Sequence, residues 1–122
     1  MKVMPTTAPE VLSAGTLIGN KVINAQGEDL GKIEEIMLDL EKGCVSYTVL
    51  SFGGILGLGD KLFAVPWDVL KLDTEKKAFI LNVDKDKLRN APGFDKNNWP
   101  EHPDREWMET VYTYYGSKPH WK

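Results

Sequence analysis

The 122-residue sequence has few of the side chains from which metal sites, disulfides and nucleophilic centres are built. It contains one cysteine, Cys44, and two histidines, His102 and His120. A single cysteine excludes an intrachain disulfide and a zinc site made of several cysteines. The histidines lack the spacing of metal ligands, and neither has a serine or cysteine beside it to activate. We therefore expect no metal, no cofactor, no catalytic residue and no enzymatic activity.

The sequence also lacks long hydrophobic runs and an excess of positive charge. No apolar stretch approaches the roughly 20 residues that cross a bilayer, and the N-terminal run MKVMPTTAPEVLSAG has no apolar core of the kind found in signal peptides. The net charge of −3 argues against a nucleic-acid partner, because such partners select a basic face or stripe. We expect a cytoplasmic protein with no integral membrane segment and no nucleic-acid partner.

Length and composition indicate one globular domain with an extension at each end. Hydrophobic residues make up 42% and charged residues 27% of the chain, as is ordinary for a folded protein with one modest core. Residues 1–10 contain two prolines and no apolar period, so we expect a flexible N-terminal arm. Residues 11–83 carry the strand-like patterns of the domain, and residues 84–122 form a C-terminal extension.

Short runs of β-branched and aromatic residues between glycine-rich turns, from Leu30 to Trp67, predict a small barrel. The strongest strand is Val45–Phe52, and neither of its faces is strongly polar, as in a closed barrel or a sheet covered on both sides. Pro66 cannot donate to a strand ladder, so we expect it to end the partner strand Lys61–Val65 and to leave Trp67 at a corner. Shorter elements are predicted as a helical turn within Val11–Leu17 and as strands at Lys21–Asn24, Val69–Leu72 and Ala78–Val83.

The segment from Leu30 to Leu40 fits two structures. Four apolar residues recur at helical spacing, namely Leu30, Ile33, Met37 and Leu40, and Gly43 would serve as a helix C-cap. A strand instead places Ile36, Leu38 and Leu40 on one face, and needs a bulge near Glu34-Glu35 to bring Ile33 onto it. We favour the strand, because Gly31 suits a helix poorly and a turn at Gly43 leads directly into Val45–Phe52.

Cys44 is expected to be a buried or half-buried small hydrophobe.

The extension after Val83 contains two predicted helices. Asp84–Asn90 reads as a short helix that the Ala91-Pro92-Gly93 sequence stops, with a loop over Phe94–Glu101. A second helix begins near Pro103, since proline favours the first helical position, and ends near Gly116. Its apolar face includes Trp107, Val111 and Tyr114 or Tyr115, and we expect that face to pack on the barrel or on a second subunit.

The run GEDLGKIEEIMLDLEKGCVSYTVLSFGGILGLGDKLFAVPW resembles the PRC-barrel domain, the module of the photosynthetic reaction centre H subunit and of a bacterial ribosome maturation factor. The resemblance covers about Thr16 to Val83, and the tail resembles that of small stand-alone bacterial members. The features that carry it are Gly27, Gly31, Asp39, Gly53-Gly54, Gly59-Asp60-Lys61 and Val65-Pro66-Trp67.

The resemblance implies a mostly β fold: a small antiparallel PRC-type β-barrel of about six strands with a C-terminal α-helix, used for protein–protein contact. It brings no catalytic residue with it. The chain lacks the H subunit's membrane helix and the maturation factor's RNA-associated barrel, so neither photosynthesis nor ribosome assembly carries over.

The glycine-rich loop of residues 53–59 is the clearest candidate for a contact surface. Its order of glycines does not match a phosphate-binding fingerprint, and a strand follows it where a helix is required. The loop is either a flexible connection between two strands or an interaction surface, because exposed apolar residues at a loop tip tend to mark contacts. We expect a self-associating, dimeric interaction module, and two alternatives remain: a ligand-binding barrel with its mouth beside Trp67, and a membrane-surface adaptor resembling the H-subunit domain. The predicted partner-binding residues are Ile55, Leu56, Leu58, Trp67 and Trp107.

Overall fold

The computed structural model describes residues 11–52, 61–95, 105–119 and 121. These residues form seven strands, three α-helices and a 3₁₀ turn at Trp67–Val69. In chain order the elements are α1 (Ala14–Leu17), β1 (Lys21–Ile23), β2 (Asp29–Asp39), β3 (Cys44–Phe52), β4 (Lys61–Val65), β5 (Leu70–Asp73), β6 (Ala78–Leu81), α2 (Lys85–Arg89), β7 (Gly93–Asp95) and α3 (Arg105–Tyr114). The predicted arm at residues 1–10 lies outside the described residues.

The strands form one curved sheet in the order β5-β6-β1-β2-β3-β4-β7. Leu70 of β5 and Phe63 of β4 stand near opposite ends of that order but belong to the same buried cluster, so the sheet bends around its inner face. Among the described residues no strand ladder joins β5 to β7, and the sheet is not closed into a barrel. The mostly β fold with a C-terminal helix is confirmed at this level.

Two details differ from the predicted antiparallel arrangement of about six strands. First, β1 and β6 pair in parallel, with Val22 opposite Phe79. The buried Asn24 at the end of β1 supports this pairing, because its side-chain amide donates to the Val83 carbonyl at 3.2 Å. The two strands are far apart in sequence, so their spacing gave no sign that they run in the same direction.

Second, the segment predicted as a breaker and loop contains the seventh strand, β7, which pairs with β4. Gly93 lies opposite Phe63, and a Cβ atom added there would lie 2.7 Å from the Leu62 carbonyl oxygen. The missing side chain therefore permits close pairing of the two backbones where the sequence suggested only interruption. The remainder of that predicted loop, after Asp95, lies outside the described residues.

The ambiguous segment is a strand, and the predicted bulge is present. The register of β2 against β3 shifts between Ile33 and Glu35, and Ile33 is fully buried. Beyond Met37 the apolar side chains leave the core: Leu38 is 61% and Leu40 is 89% exposed. The reason is length, because β4 begins to pair with β3 only at Thr48, so the end of the β2–β3 hairpin projects past the covered part of the sheet.

Cys44 also lies at this projecting end. It pairs with Asp39 and is exposed, so the prediction of a buried or half-buried cysteine is wrong. The apolar residues that follow Cys44 in the sequence are covered, but the cysteine itself precedes the point where β4 and α3 begin to shield β3.

The C-terminal helix α3 covers the outer face of the sheet. Its Met108, Val111 and Tyr112 form a second buried cluster with residues of β3 and β4. The Tyr112 hydroxyl donates to the Ser46 carbonyl, and the Ser46 hydroxyl donates to the Met108 sulfur at 3.5 Å. Both faces of β3 are therefore covered, as its weakly polar pattern predicted. None of the helices in the described ranges has the length and apolar character needed to cross a membrane.

Candidate interaction surface

An open groove of about 730 Å³ lies on the inner side of the sheet, between the β2–β3 hairpin and β5. The residues that line it are contributed by the chain before and within α1, by the hairpin, by the 3₁₀ turn and by the hairpin of β5 and β6. They are Val11, Leu12, Leu17, Gly43, Val45, Trp67, Leu70, Leu72 and Phe79. None of their side chains carries a charge or a titratable group, so the side chains that line the groove offer apolar contact.

Local sequence signals explain how these residues reach the groove. The Ser13 hydroxyl accepts a hydrogen bond from the Thr16 amide at 3.2 Å, which caps α1 and fixes the chain that carries Val11. Pro66 ends β4 as predicted, and the 3₁₀ turn that follows places Trp67 at the predicted corner. The Trp67 ring lies 6.0 Å from that of Phe79, so two aromatic rings build one wall.

Exposed apolar side chains continue the groove onto the protein surface. Among the described residues the large hydrophobic side chains that are exposed are Val11, Leu38 and Leu40. Val11 lines the groove itself, at 86% exposure. Leu38 pairs with Val45 across the hairpin, and paired residues of antiparallel strands lie on the same face. We call Leu38 and Leu40 the hairpin tip; the tip adjoins the groove through the pairing of Leu38 with Val45.

Charges of opposite sign flank the two sides of this surface. Residues 34–42 of the β2–β3 hairpin contain four acidic residues and one lysine: Glu34, Glu35, Asp39, Glu41 and Lys42. The β5–β6 hairpin, which forms the other wall, presents three exposed lysines at Lys71, Lys76 and Lys77, with Asp73 and Glu75 as its acidic residues. The hairpin side is therefore acidic and the β5–β6 side is weakly basic.

The predicted partner-binding residues do not all come together. Trp67 lies in the groove, but Trp107 packs on the outer face of the sheet, with its ring 5.6 Å from that of Tyr47 in an edge-on arrangement. Ile55, Leu56 and Leu58 lie outside the described residues, and their role stays a prediction.

Sequence reasoning missed Val11 and the hairpin tip. The period-two pattern through Ile36, Leu38 and Leu40 was visible, but it does not reveal where the neighbouring strand stops. The available signal was the difference in strand length, since β2 has 11 residues and β4 has five. A hairpin that extends past the next strand of the sheet exposes its end.

The hydroxyls of two tyrosines are buried: Tyr47 packs in the cluster under α3, and Tyr115 directly follows α3 and packs against both buried clusters. Burial raises the pKa of Tyr47 and, with a smaller contribution from Tyr114, that of Tyr115. Neither hydroxyl has a hydrogen-bond partner among the described residues.

Within the residues that the structure describes, no three histidine, cysteine, aspartate or glutamate side chains are placed to hold a metal ion. His102 and His120 lie outside the described residues.

A family model for the PRC-barrel domain matches residues 9–88, about two-thirds of the chain. The chain belongs to the PRC-barrel domain family. The PRC-barrel match includes all the residues that line the groove and both residues of the hairpin tip, whereas α3 lies beyond it. At a coarse level, PRC-barrel membership indicates a module for protein interaction or assembly. No curated protein matches the chain.

Proposed function

We propose that this PRC-barrel protein is a non-enzymatic interaction or assembly module that associates with itself as a dimer in the cytoplasm. The observation that supports the proposal is an open groove lined by apolar side chains, with the exposed Val11 in its lining and the exposed Leu38 paired with the lining residue Val45. Contiguous exposed apolar surface on a soluble domain marks contact sites, whereas isolated exposed hydrophobic residues do not.

Analytical ultracentrifugation over a concentration series, together with affinity purification from the native host and mass spectrometry, tests this function. We expect a reversible dimer and co-purification of untagged copies of the same chain. A monomer at high micromolar concentration that also retains no reproducible partner contradicts the proposal.

The predicted contribution of the glycine-rich loop needs its own variants. Leu56→Asp or Leu58→Asp should weaken the dimer if the loop contributes to the contact, and the far-UV circular dichroism spectrum should remain unchanged. An unaltered dimer in both variants removes the loop from the interface and leaves the groove.

A second candidate is a carrier of a small apolar ligand, which the groove itself favours. Its volume of about 730 Å³ lies within the roughly 300–1,000 Å³ of small-molecule sites. Native mass spectrometry of gently purified protein should then show a retained non-protein mass that Trp67→Ala releases. The carrier function is contradicted if the protein retains no added mass and its tryptophan fluorescence does not change when apolar dyes are added.

A further inference from the structure

We propose that the groove receives the hairpin tip of a second copy of this chain, and that the two copies exchange their tips reciprocally about a two-fold axis. This inference rests on the proposed self-association and deepens it by naming the surface and the mode of contact. The occupant of the groove is thus a pair of leucines, Leu38 and Leu40, presented on an extended hairpin.

The first argument is the adjacency of tip and groove. Leu38 pairs with Val45, and Val45 lines the groove, so the projecting and the receiving parts lie side by side on one face. A two-fold contact uses the same patch on both subunits and therefore requires a patch that is complementary to itself. A projection beside a groove satisfies this condition, because each copy supplies both parts.

The second argument is charge. Inserting the acidic β2–β3 hairpin of one copy into the groove of the other brings it next to the exposed lysines of the partner's β5–β6 hairpin. Opposite charges at the rim favour this register and disfavour a tip-to-tip contact, which would juxtapose two acidic hairpins. In the tip-in-groove arrangement the inserted acidic hairpin has the lysines of the partner's β5–β6 hairpin on one side, and a tip-to-tip contact offers no such opposite charge.

The third argument is the extent of the apolar surface. A small molecule in the groove would leave Leu40 in water, since this residue is 89% exposed on the hairpin outside the groove lining. A protein surface can cover the groove and the tip together. A second copy does so with no additional partner.

Single substitutions at exposed positions test the surface without disturbing the core. Leu40→Asp and Leu38→Asp alter the tip, and Gln26→Asp is the matched control, because Gln26 is exposed in the turn at the opposite end of β2. Sedimentation should show that each tip variant raises the dimer dissociation constant at least about tenfold. Replacing a buried anchor residue of an interface has an effect of this size. Gln26→Asp should leave the constant unchanged.

Mixing two variants distinguishes reciprocal insertion from other contacts. Val11→Asp alters the groove side at a position that is 86% exposed, and a Val11→Asp chain keeps its tip. In a mixture with Leu40→Asp, one intact tip faces one intact groove, so the mixed dimer should form more tightly than either variant alone. A mixed dimer no tighter than the Val11→Asp dimer overturns reciprocal insertion.

The outcomes distinguish the tip-in-groove contact from the proposed self-association on which it rests. A wild-type dimer that is insensitive to both tip variants overturns the tip-in-groove contact but leaves self-association standing. A wild-type chain that is monomeric at high micromolar concentration overturns self-association and the inference together. Loss of the dimer in Gln26→Asp as well as in the tip variants attributes the effect to net charge and also overturns the inference.

Discussion

Gly31 in β2 lies against the backbone of Ser51 in β3, so closely that a Cβ atom added to Gly31 would lie 2.1 Å from the Ser51 carbonyl oxygen. The φ angle of Gly31 is +108°, a conformation that residues with a side chain rarely adopt. Gly31→Ala therefore combines backbone strain with a clash against backbone atoms that cannot move aside. We expect it to lower the free energy of unfolding by about 3 kcal/mol or more, measured by urea denaturation.

Gly15→Ala provides the matched control. Gly15 lies in α1 with no atom within 4 Å of an added Cβ and without a positive φ. Alanine is favoured over glycine in a helix by about 1 kcal/mol, so this variant should be neutral or slightly more stable. Equal destabilisation by both substitutions would show that the close approach to Ser51 is not what requires glycine in β2.

The hydrogen bond from Tyr112 to the Ser46 carbonyl connects α3 to β3 in a buried environment. Tyr112→Phe removes the donor and leaves a buried carbonyl without it, which should cost about 1–3 kcal/mol of stability. Tyr115→Phe is the control, because the Tyr115 hydroxyl is buried with no partner among the described residues. Removing that hydroxyl should leave the stability unchanged or raise it, and chemical denaturation of the two variants decides the comparison.

Alkaline pH should unfold the protein through its buried tyrosines. The pKa of Tyr115 is raised above its ordinary 10.0, first by burial and second by Tyr114, and burial also raises that of Tyr47. A group whose pKa is higher in the folded state contributes stability that is present below the unfolded pKa and lost as the pH rises above it. Stability should therefore be constant near neutrality and fall above about pH 10.

Tyrosinate absorbance, followed together with circular dichroism, measures this effect. The two buried tyrosines should ionise only as the β signal is lost, and Tyr115→Phe should reduce the slope of stability against pH in the alkaline range. Full ionisation of every tyrosine in protein that remains folded would contradict the assigned burial.

The sequence predicted most of the strands because their patterns depend on local chemistry. Val45–Phe52 and Lys61–Val65 are dense in β-branched and aromatic residues. Pro66 ends the second of these strands whatever the tertiary structure, because proline has no backbone N–H to donate to a strand ladder. The bulge near Glu34 was predictable for a related reason, since only an extra residue places Ile33 and Ile36 on one face.

Features that depend on distant neighbours were not predictable in the same way. The parallel pairing of β1 with β6 joins segments separated by more than 50 residues, and β7 depends on the space that Gly93 leaves beside β4. The groove could not be predicted from the sequence for the same reason. Val11, Leu38 and Trp67 are far apart in sequence, and they come near one another only in the folded sheet.

Cys44 gives a direct test of where the covered part of β3 begins. Because its thiol is exposed, Cys44→Ser should change the free energy of unfolding by no more than about 0.5 kcal/mol, as for other surface substitutions. Val49→Thr, in the fully buried part of the same strand, introduces a hydroxyl of similar size and should cost about 1–3 kcal/mol. In dilute solution, where the proposed dimer dissociates, a thiol reagent should modify one cysteine per native chain without denaturant, as fast as it modifies the unfolded chain. Slow labelling of the dilute chain, or a cost for Cys44→Ser that equals that of Val49→Thr, would contradict the exposure of the hairpin end in the single chain.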